Sequence, residues 1–234
     1  MELRRVACVI PTFNAAAFVA EAIESVLAQT YAETEIIVVD DGSTDLTEDV
    51  VRSFGKKVTY LPRPHRGAAA AKNDGIRAST GELIAFLDAD DLWAPEKLAR
   101  QIARLEQHPD IDLLYSEYRN FWSSELEEEE KEYRDHPLSE AVSGWSISTL
   151  LTRRSVFERF GFFEEHASER HQSLMWALRT AGNGACVEVL PEILMYRRLH
   201  PGNQSRGWTI NDEFLELIKA WKDYRQSCEE QSGK

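Results

Sequence analysis

Over residues 6–87, short apolar runs alternate with longer stretches in which apolar positions recur every three or four residues. Residues 6–10 are apolar and rich in β-branched side chains, and Phe18, Ile23, Val26 and Leu27 in 17–29 lie at helical spacing. These patterns predict a strand followed by a helix. The same alternation predicts a strand at 36–39, a helix at 45–54 opened by a Ser43/Thr44 cap, a strand at 58–61, a helix at 68–78 and a strand at 83–87. Each predicted strand is apolar on both faces. That implies a mostly parallel sheet with helices packed on both sides, the doubly wound α/β class.

Beyond Asp91 the rhythm changes. Pro95 suits the first turn of a helix running to 107, and 111–116 predicts another strand. Residues 123–137 are too charged for a core and predict a solvated loop or surface helix. Helices are expected at 153–160, ended by Gly161, and at 169–181, ended by Gly182, with strands at 185–189 and 193–196. An amphipathic helix is expected at 210–227, with a frayed tail behind it. This organisation predicts one domain over 1–228: a nucleotide-side half at 1–118, an acceptor-side half at 119–208 and a C-terminal helix at 209–228, with a tail at 229–234.

The 234 residues suit one large domain, at about 150 residues per domain. With 43% hydrophobic residues the chain can build a core, and its net charge of −13 repels polyphosphate, which argues against nucleic-acid binding. Any phosphate ligand is therefore expected to arrive with a metal cation. The longest apolar runs fall far short of the roughly 18 residues that span a bilayer, so no membrane anchor is expected. The apolar stretch after Arg4 and Arg5 is broken by Pro11, Thr12 and Asn14, unlike a signal peptide. A cytoplasmic chain is expected, with peripheral contact to the inner membrane face allowed. Cys8, Cys186 and Cys228 fit no zinc or disulfide pattern and read as buried or incidental thiols. Oligomeric state is not legible.

In open parallel sheets, ligands bind beyond the carboxyl ends of the strands. Pro11-Thr12-Phe13-Asn14 follows the first predicted strand, Asp40-Asp41-Gly42-Ser43 the second, His65-Arg66-Gly67 the third and Asp88-Ala89-Asp90-Asp91 the fourth. Singly, each reads equally well as a turn or a cap. Three carboxylates within four residues repel one another and call for a cation. Carboxylate oxygens suit Mg²⁺ or Mn²⁺, commonly shared with substrate phosphates. No Gly-x-Gly-x-x-Gly follows the first strand and no Gly-x4-Gly-Lys-Ser/Thr is present, so a diphosphate would be held through the metal.

These segments, in this order, resemble the inverting family-2 glycosyltransferases with the GT-A fold. Val9 to Asn14 is similar to the family's opening strand, and Val38 to Asp45 to its second. Gly67 with Ala71-Lys72-Asn73-Asp74-Gly75-Ile76 resembles the glycine-to-Ala-Arg-Asn segment, with lysine at the usual arginine, and Phe86 to Asp91 matches the Asp-x-Asp motif. Trp93, Pro95 and Lys97-Leu98 follow in the family's pattern, and the resemblance covers about residues 5–206. It implies a nucleotide-sugar donor, UDP-linked, and a hydroxyl acceptor that the sequence leaves open among glycan, lipid-linked sugar, small molecule and peptide. It places Pro11, Thr12, Phe13, Asn14 and Asp41 around the base, Arg66, Lys72, Asp88 and Ala89 along the donor, and Asp90 with Asp88 on the Mn²⁺ or Mg²⁺ ion.

The resemblance fails at the catalytic base. Where the family shows Glu-Asp, this chain reads Arg170-His171, with Glu169 one step away. His171 could be the base, Glu169 could be the base with the loop shifted by one, or neither serves and the protein is a degenerate nucleotide-sugar binder. A sugar nucleotidyltransferase is a further alternative, disfavoured because its glycine- and lysine-rich loop is absent. Near the C-terminus the resemblance makes His200 either a metal ligand or a surface-loop residue, and lets Arg197 and Arg198 hold the diphosphate. Trp145 stacks on an acceptor sugar or packs as core. Trp122, Trp176, Trp208 and Trp221 read as packing residues. Asn203-Gln204-Ser205 also spells a glycosylation acceptor, given no weight in a chain expected to be cytoplasmic.

Overall fold

The computed structural model describes residues 4–133, 139–142, 146–165 and 172–203. Among them one sheet organises the molecule, in the order β3-β2-β1-β4-β8-β6-β9-β5, with β7 paired to β6. The strands are β1 (Val6–Thr12), β2 (Thr34–Asp40), β3 (Thr59–Pro62), β4 (Leu83–Phe86), β5 (Leu92–Trp93), β6 (Leu113–Trp122), β7 (Ala141–Val142), β8 (Leu151–Arg153) and β9 (Val187–Leu199). β1, β2, β3 and β4 pair in parallel, whereas β8 runs antiparallel between β4 and β6. The mixed α/β class agrees with the expectation.

The helices are α1 (Val19–Leu27), α2 (Thr47–Arg52), α3 (Ala68–Ala78), α4 (Lys97–Gln107), α5 (Glu127–Glu132), α6 (Arg154–Phe160) and α7 (Gln172–Gly182). Alternate residues of a strand face opposite sides of the sheet. Val6, Cys8 and Ile10 of β1 accordingly join a core with Val19, Ile23, Val51, Leu98 and Ile102 of α1, α2 and α4. Ala7 and Val9 face the other way, into a core with Ala69, Ala71, Ile76, Phe157 and Trp176 of α3, α6 and α7. From β1 the chain order runs outward through β2 and β3 on one side and restarts at β4 on the other. In open sheets such a reversal is where ligands bind, beyond the carboxyl ends of the strands on either side, here β1 and β4.

Two glycines set how closely layers approach. A Cβ on Gly75 would lie 2.3 Å from Val9 Cγ1, so α3 sits on β1 at backbone range, and a Cβ on Gly81 would lie 2.5 Å from the Ala7 nitrogen. The acidic helix α5 buries none of its residues, as its charge predicts. Three features differ from the sequence expectation. Strand β6 runs on to Trp122, the two-residue β5 answers to no predicted strand, and the predicted strands 185–189 and 193–196 are one strand, β9. Leu190 pairs with Ser116 and Ile193 with Glu117, so Pro191 and Glu192 bulge out of the ladder. Proline cannot donate to a ladder, and the bulge accommodates it without ending the strand.

Lys97 of α4 is buried, with its ammonium 4.2 Å over the Trp93 ring and donating to Gln101 Oε1 at 2.8 Å. Gln101 Nε2 donates to the Leu114 and Thr149 carbonyls, tying this unit to the sheet. Burial pushes the Lys97 pKa down to about 7. No helix among the described residues is long and apolar enough to cross a membrane. Cys8 is buried and Cys186 exposed. The predicted helix at 210–227, with Trp208, Trp221 and Cys228, lies outside the described residues.

Candidate active site

The loops after β1 and β2 lock together beyond the strand ends. Asn14 adopts φ +49, a left-handed conformation in which asparagine is among the better tolerated side chains. Its amide N–H donates to Ser43 Oγ at 2.9 Å and its Oδ1 accepts from the Thr44 N–H at 2.8 Å. Asn14 therefore shapes the pocket by clamping two loops. Thr12 is buried and Pro11 half-buried, while Phe13 is 46% exposed and stacks on His65 with ring centroids 4.5 Å apart. An exposed stacked pair at a strand end offers a flat surface to a planar ligand.

Asp41 sits beneath that pair. Its carboxylate accepts from the backbone N–H of Arg66 (2.9 Å) and of Gly67 (2.8 Å), and His65 Nδ1 lies 2.8 Å from its Oδ2. Gly67 takes φ +91 to start α3, so the carboxylate satisfies donors at the head of that helix. Two backbone donors leave part of this carboxylate's roughly four acceptor sites unused, and the His65 ring lies against both the carboxylate and the Asp41 carbonyl. Arg66 is half-exposed at the rim and pairs with Asp74 and with Glu165 Oε2 (3.5 Å).

The acidic turn after β4 lies deeper. The Asp88 N–H donates to Ser148 Oγ at 3.0 Å, and the Ser148 carbonyl accepts from Trp93 Nε1 at 2.8 Å. Burial, more than any neighbour, pushes the Asp88 carboxyl up; Lys72 and Arg197 pull it down while Asp90 pushes it up again. Lys72 is buried too, which lowers its pKa, and the Asp88 charge partly restores it. Ala89 is buried. Burial and then the Asp90 and Asp88 charges hold Asp91 well above the usual carboxylate range, and Asp91 Oδ1 accepts from the Arg198 N–H at 3.1 Å. Crowded, buried carboxyls of this kind mark functional sites.

Asp90 meets the C-terminal turn. Its Oδ2 lies 3.1 Å from His200 Nε2 and accepts from Asn203 Nδ2 at 3.0 Å. Phe18 packs against the imidazole, with ring centroids 4.4 Å apart. Among the described residues no three His, Cys, Asp or Glu side chains form a metal cluster on their own. Carboxylate and imidazole nevertheless fit a cation whose remaining ligands are phosphate and water. Adjacent ligands at about 2.1 Å from an octahedral ion lie about 3 Å apart, which the Asp90–His200 separation of 3.1 Å matches.

Arg197 and Arg198, expected together at the diphosphate, are separated by strand parity, because successive side chains leave opposite faces. The Arg197 charge acts on Asp88, Asp91 and Tyr118. Arg198 instead is 8% exposed, lies between the Phe18 and Phe121 rings, and donates to the Asp90 carbonyl (3.0 Å) and to Glu21 Oε2 (2.8 Å). It braces the acidic turn.

Glu169, His171 and Trp145 lie outside the described residues. The chain reaches the first two from Glu165, whose Oε1 accepts from Asn73 Nδ2 at 3.0 Å; Asn73 also bonds both backbone polar groups of Phe163. Sequence reasoning missed His65, Ser148, Asn73 and Asn203 as site-forming residues. His65 carried a signal in the turn that follows a predicted strand, and Asn73 in the segment resembling Ala-Arg-Asn.

A model of glycosyl transferase family 2 matches residues 7–174. An uncharacterized glycosyltransferase of Rickettsia typhi is 30% identical over 238 residues, covering 97% of this chain and 73% of that protein. Staphylococcus aureus TarS 1-349 in complex with UDP-GlcNAc superposes with a TM-score of 0.72 at 18% identity, over 92% of this chain and 64% of that one. The mannosyltransferase PcManGT from Pyrobaculum calidifontis, in complex with GDP-Man and Mn²⁺, gives 0.67 at 23% identity, over 89% and 59%. The chain thus spans less than two thirds of either solved structure, and at these identities the likeness is one of fold.

Proposed function

The chain belongs to glycosyl transferase family 2, and from that premise we propose that it moves a sugar from a UDP-linked donor to an acceptor hydroxyl, with inversion and with help from Mn²⁺ or Mg²⁺. The observation that carries this reading is the meeting of Asp90 and His200 at 3.1 Å, beside Asp88 and Lys72, at the strand-order reversal. The fold neighbour with UDP-GlcNAc supports the donor class, and the one with Mn²⁺ supports the cation.

In this reading Phe13 and His65 offer the base its stacking surface. Asp41 offers an acceptor to the ring N–H of uracil. Lys72 and Arg197 face the phosphates. A bound divalent ion would supply Lewis-acid neutralisation of the departing diphosphate, typically several kcal/mol. Asp90 and His200 would hold it, with Asp88 alongside.

Inversion requires a base on the far side of the sugar from the leaving group. Glu169 or His171 takes the acceptor's proton there, a contribution of about 10²- to 10⁴-fold. Glu169→Gln and His171→Ala, assayed separately, are expected to differ: the base variant loses turnover in that range and keeps its donor affinity. Equal activity in both would remove the base from this segment.

The overall test is release of UDP from a panel of UDP-sugars with Mn²⁺, against EDTA and against GDP-sugars. Release that needs the metal and prefers uridine donors is expected. Release undiminished in EDTA would contradict the metal assignment, and preference for guanosine donors would contradict the base assignment.

A further inference from the structure

Asp90 and His200 are 110 positions apart in sequence and meet only because the turn after β9 folds back over the acidic turn. The Asn203 N–H donates to the His200 carbonyl at 3.1 Å, closing that turn, with Pro201 and Gly202 between them. The Asn203 side chain then uses all of its amide. Nδ2 donates to Asp90 Oδ2 at 3.0 Å and to the Arg198 carbonyl at 3.1 Å, while Oδ1 accepts from the His200 N–H. One residue thus joins both members of the pair and the strand end that carries them.

The ring of His200 is set by the same turn. The Gly202 N–H lies 3.3 Å from its Nδ1, and the ring turns Nε2 toward Asp90. Asp90 Oδ2 therefore lies within 3.1 Å of the imidazole Nε2 and accepts from the amide. Among the described residues Asp90 Oδ1 takes no side-chain or backbone donor, so the carboxylate is held by one oxygen and free at the other.

We propose that Asn203 is the positioning residue of the Asp90–His200 pair, fixing the carboxylate through Oδ2 and the imidazole through its own backbone so that both present to one divalent ion. This rests on the metal reading above. No other side chain type of this size supplies both donors and the acceptor: aspartate lacks the donors, and leucine lacks both. Partners that orient metal ligands typically change metal affinity by about 10- to 100-fold when removed.

The test is Mn²⁺ binding by the whole chain, followed by the loss of the free-ion electron paramagnetic resonance signal, without nucleotide and with UDP, each against the same solution lacking protein. Asn203→Ala and the similarly sized Asn203→Leu are expected to weaken Mn²⁺ binding by about 10-fold or more. Their metal-free affinity for UDP and their Tm are expected to stay at the wild-type values, since Asn203 touches neither the base pocket nor the core. Unchanged Mn²⁺ affinity in both variants would overturn the proposal. So would metal-free UDP affinity and Tm falling together with Mn²⁺ affinity, the mark of a merely structural residue. A wild-type protein that takes up no Mn²⁺ either alone or with UDP would instead overturn the metal reading itself, and this inference with it.

Discussion

Asp41 shows how much a single side chain carries here. Its carboxylate ties off the backbone at the head of α3 and, in the proposed reading, also accepts from the base. Asp41→Asn preserves the shape and removes the charge. It is expected to weaken UDP binding in EDTA by about 10-fold or more, the scale of a hydrogen bond to a charged group. A calorimetric titration with unchanged affinity would take Asp41 out of the site. The strand-end residues were legible because each cluster is contiguous: three carboxylates within four residues need an explanation wherever they fold. What stayed illegible was pairing over distance. His200 could be read only as a ligand or a surface residue until the fold brought it to Asp90. Asn203 spelled a glycosylation signal, and nothing local reveals that its amide reaches back to Asp90. Arg197 and Arg198 looked alike because the strand was expected to stop at 196; carried on to Leu199, its parity separates them.

Among the elements, α3 was legible to the residue, 68–78, because its small, periodic side chains lie between a glycine start and a serine end. Its closeness to the sheet is a property of Gly75. Gly75→Ala puts a Cβ 2.3 Å from Val9 Cγ1 and is expected to cost about 1–3 kcal/mol of stability. In thermal unfolding that is a fall in Tm of roughly 2–4 °C for each kcal/mol; an unchanged Tm would show that the layer moves freely. Helix α4 carries a pH dependence. Lys97 releases its proton near pH 7 when folded and near 10.5 when unfolded. Between those values the unfolded chain holds the extra proton, so this group makes stability rise with pH above about 7 and leaves it flat below. Denaturant titrations at pH 6.5 and 8.5 are expected to show that rise in the wild type and a smaller one in Lys97→Met. Equal rises would show that Lys97 keeps its ordinary pKa. Elements of two or three residues, β5 and β8, gave the sequence no period to display, and Pro191 disguised one long strand as two.

At the scale of the molecule, the proposed function has a chain of net charge −13 take a diphosphate among its own carboxylates. Lys72 and Arg197 offset part of that field; the account assigns the rest to a divalent ion at Asp90 and His200. The fold class was readable from alternation alone, because a strand buried on both faces has to be covered on both sides. The acceptor half was less readable, since its antiparallel strand β8 and the long β6–β9 pair are set by contacts distant in sequence. The most direct test is UDP affinity measured by calorimetry with Mn²⁺ and with EDTA, in the wild type and in Asp90→Ala. The account predicts that Mn²⁺ tightens binding in the wild type and that in Asp90→Ala the two affinities coincide. Equal tightening by Mn²⁺ in both proteins would contradict it.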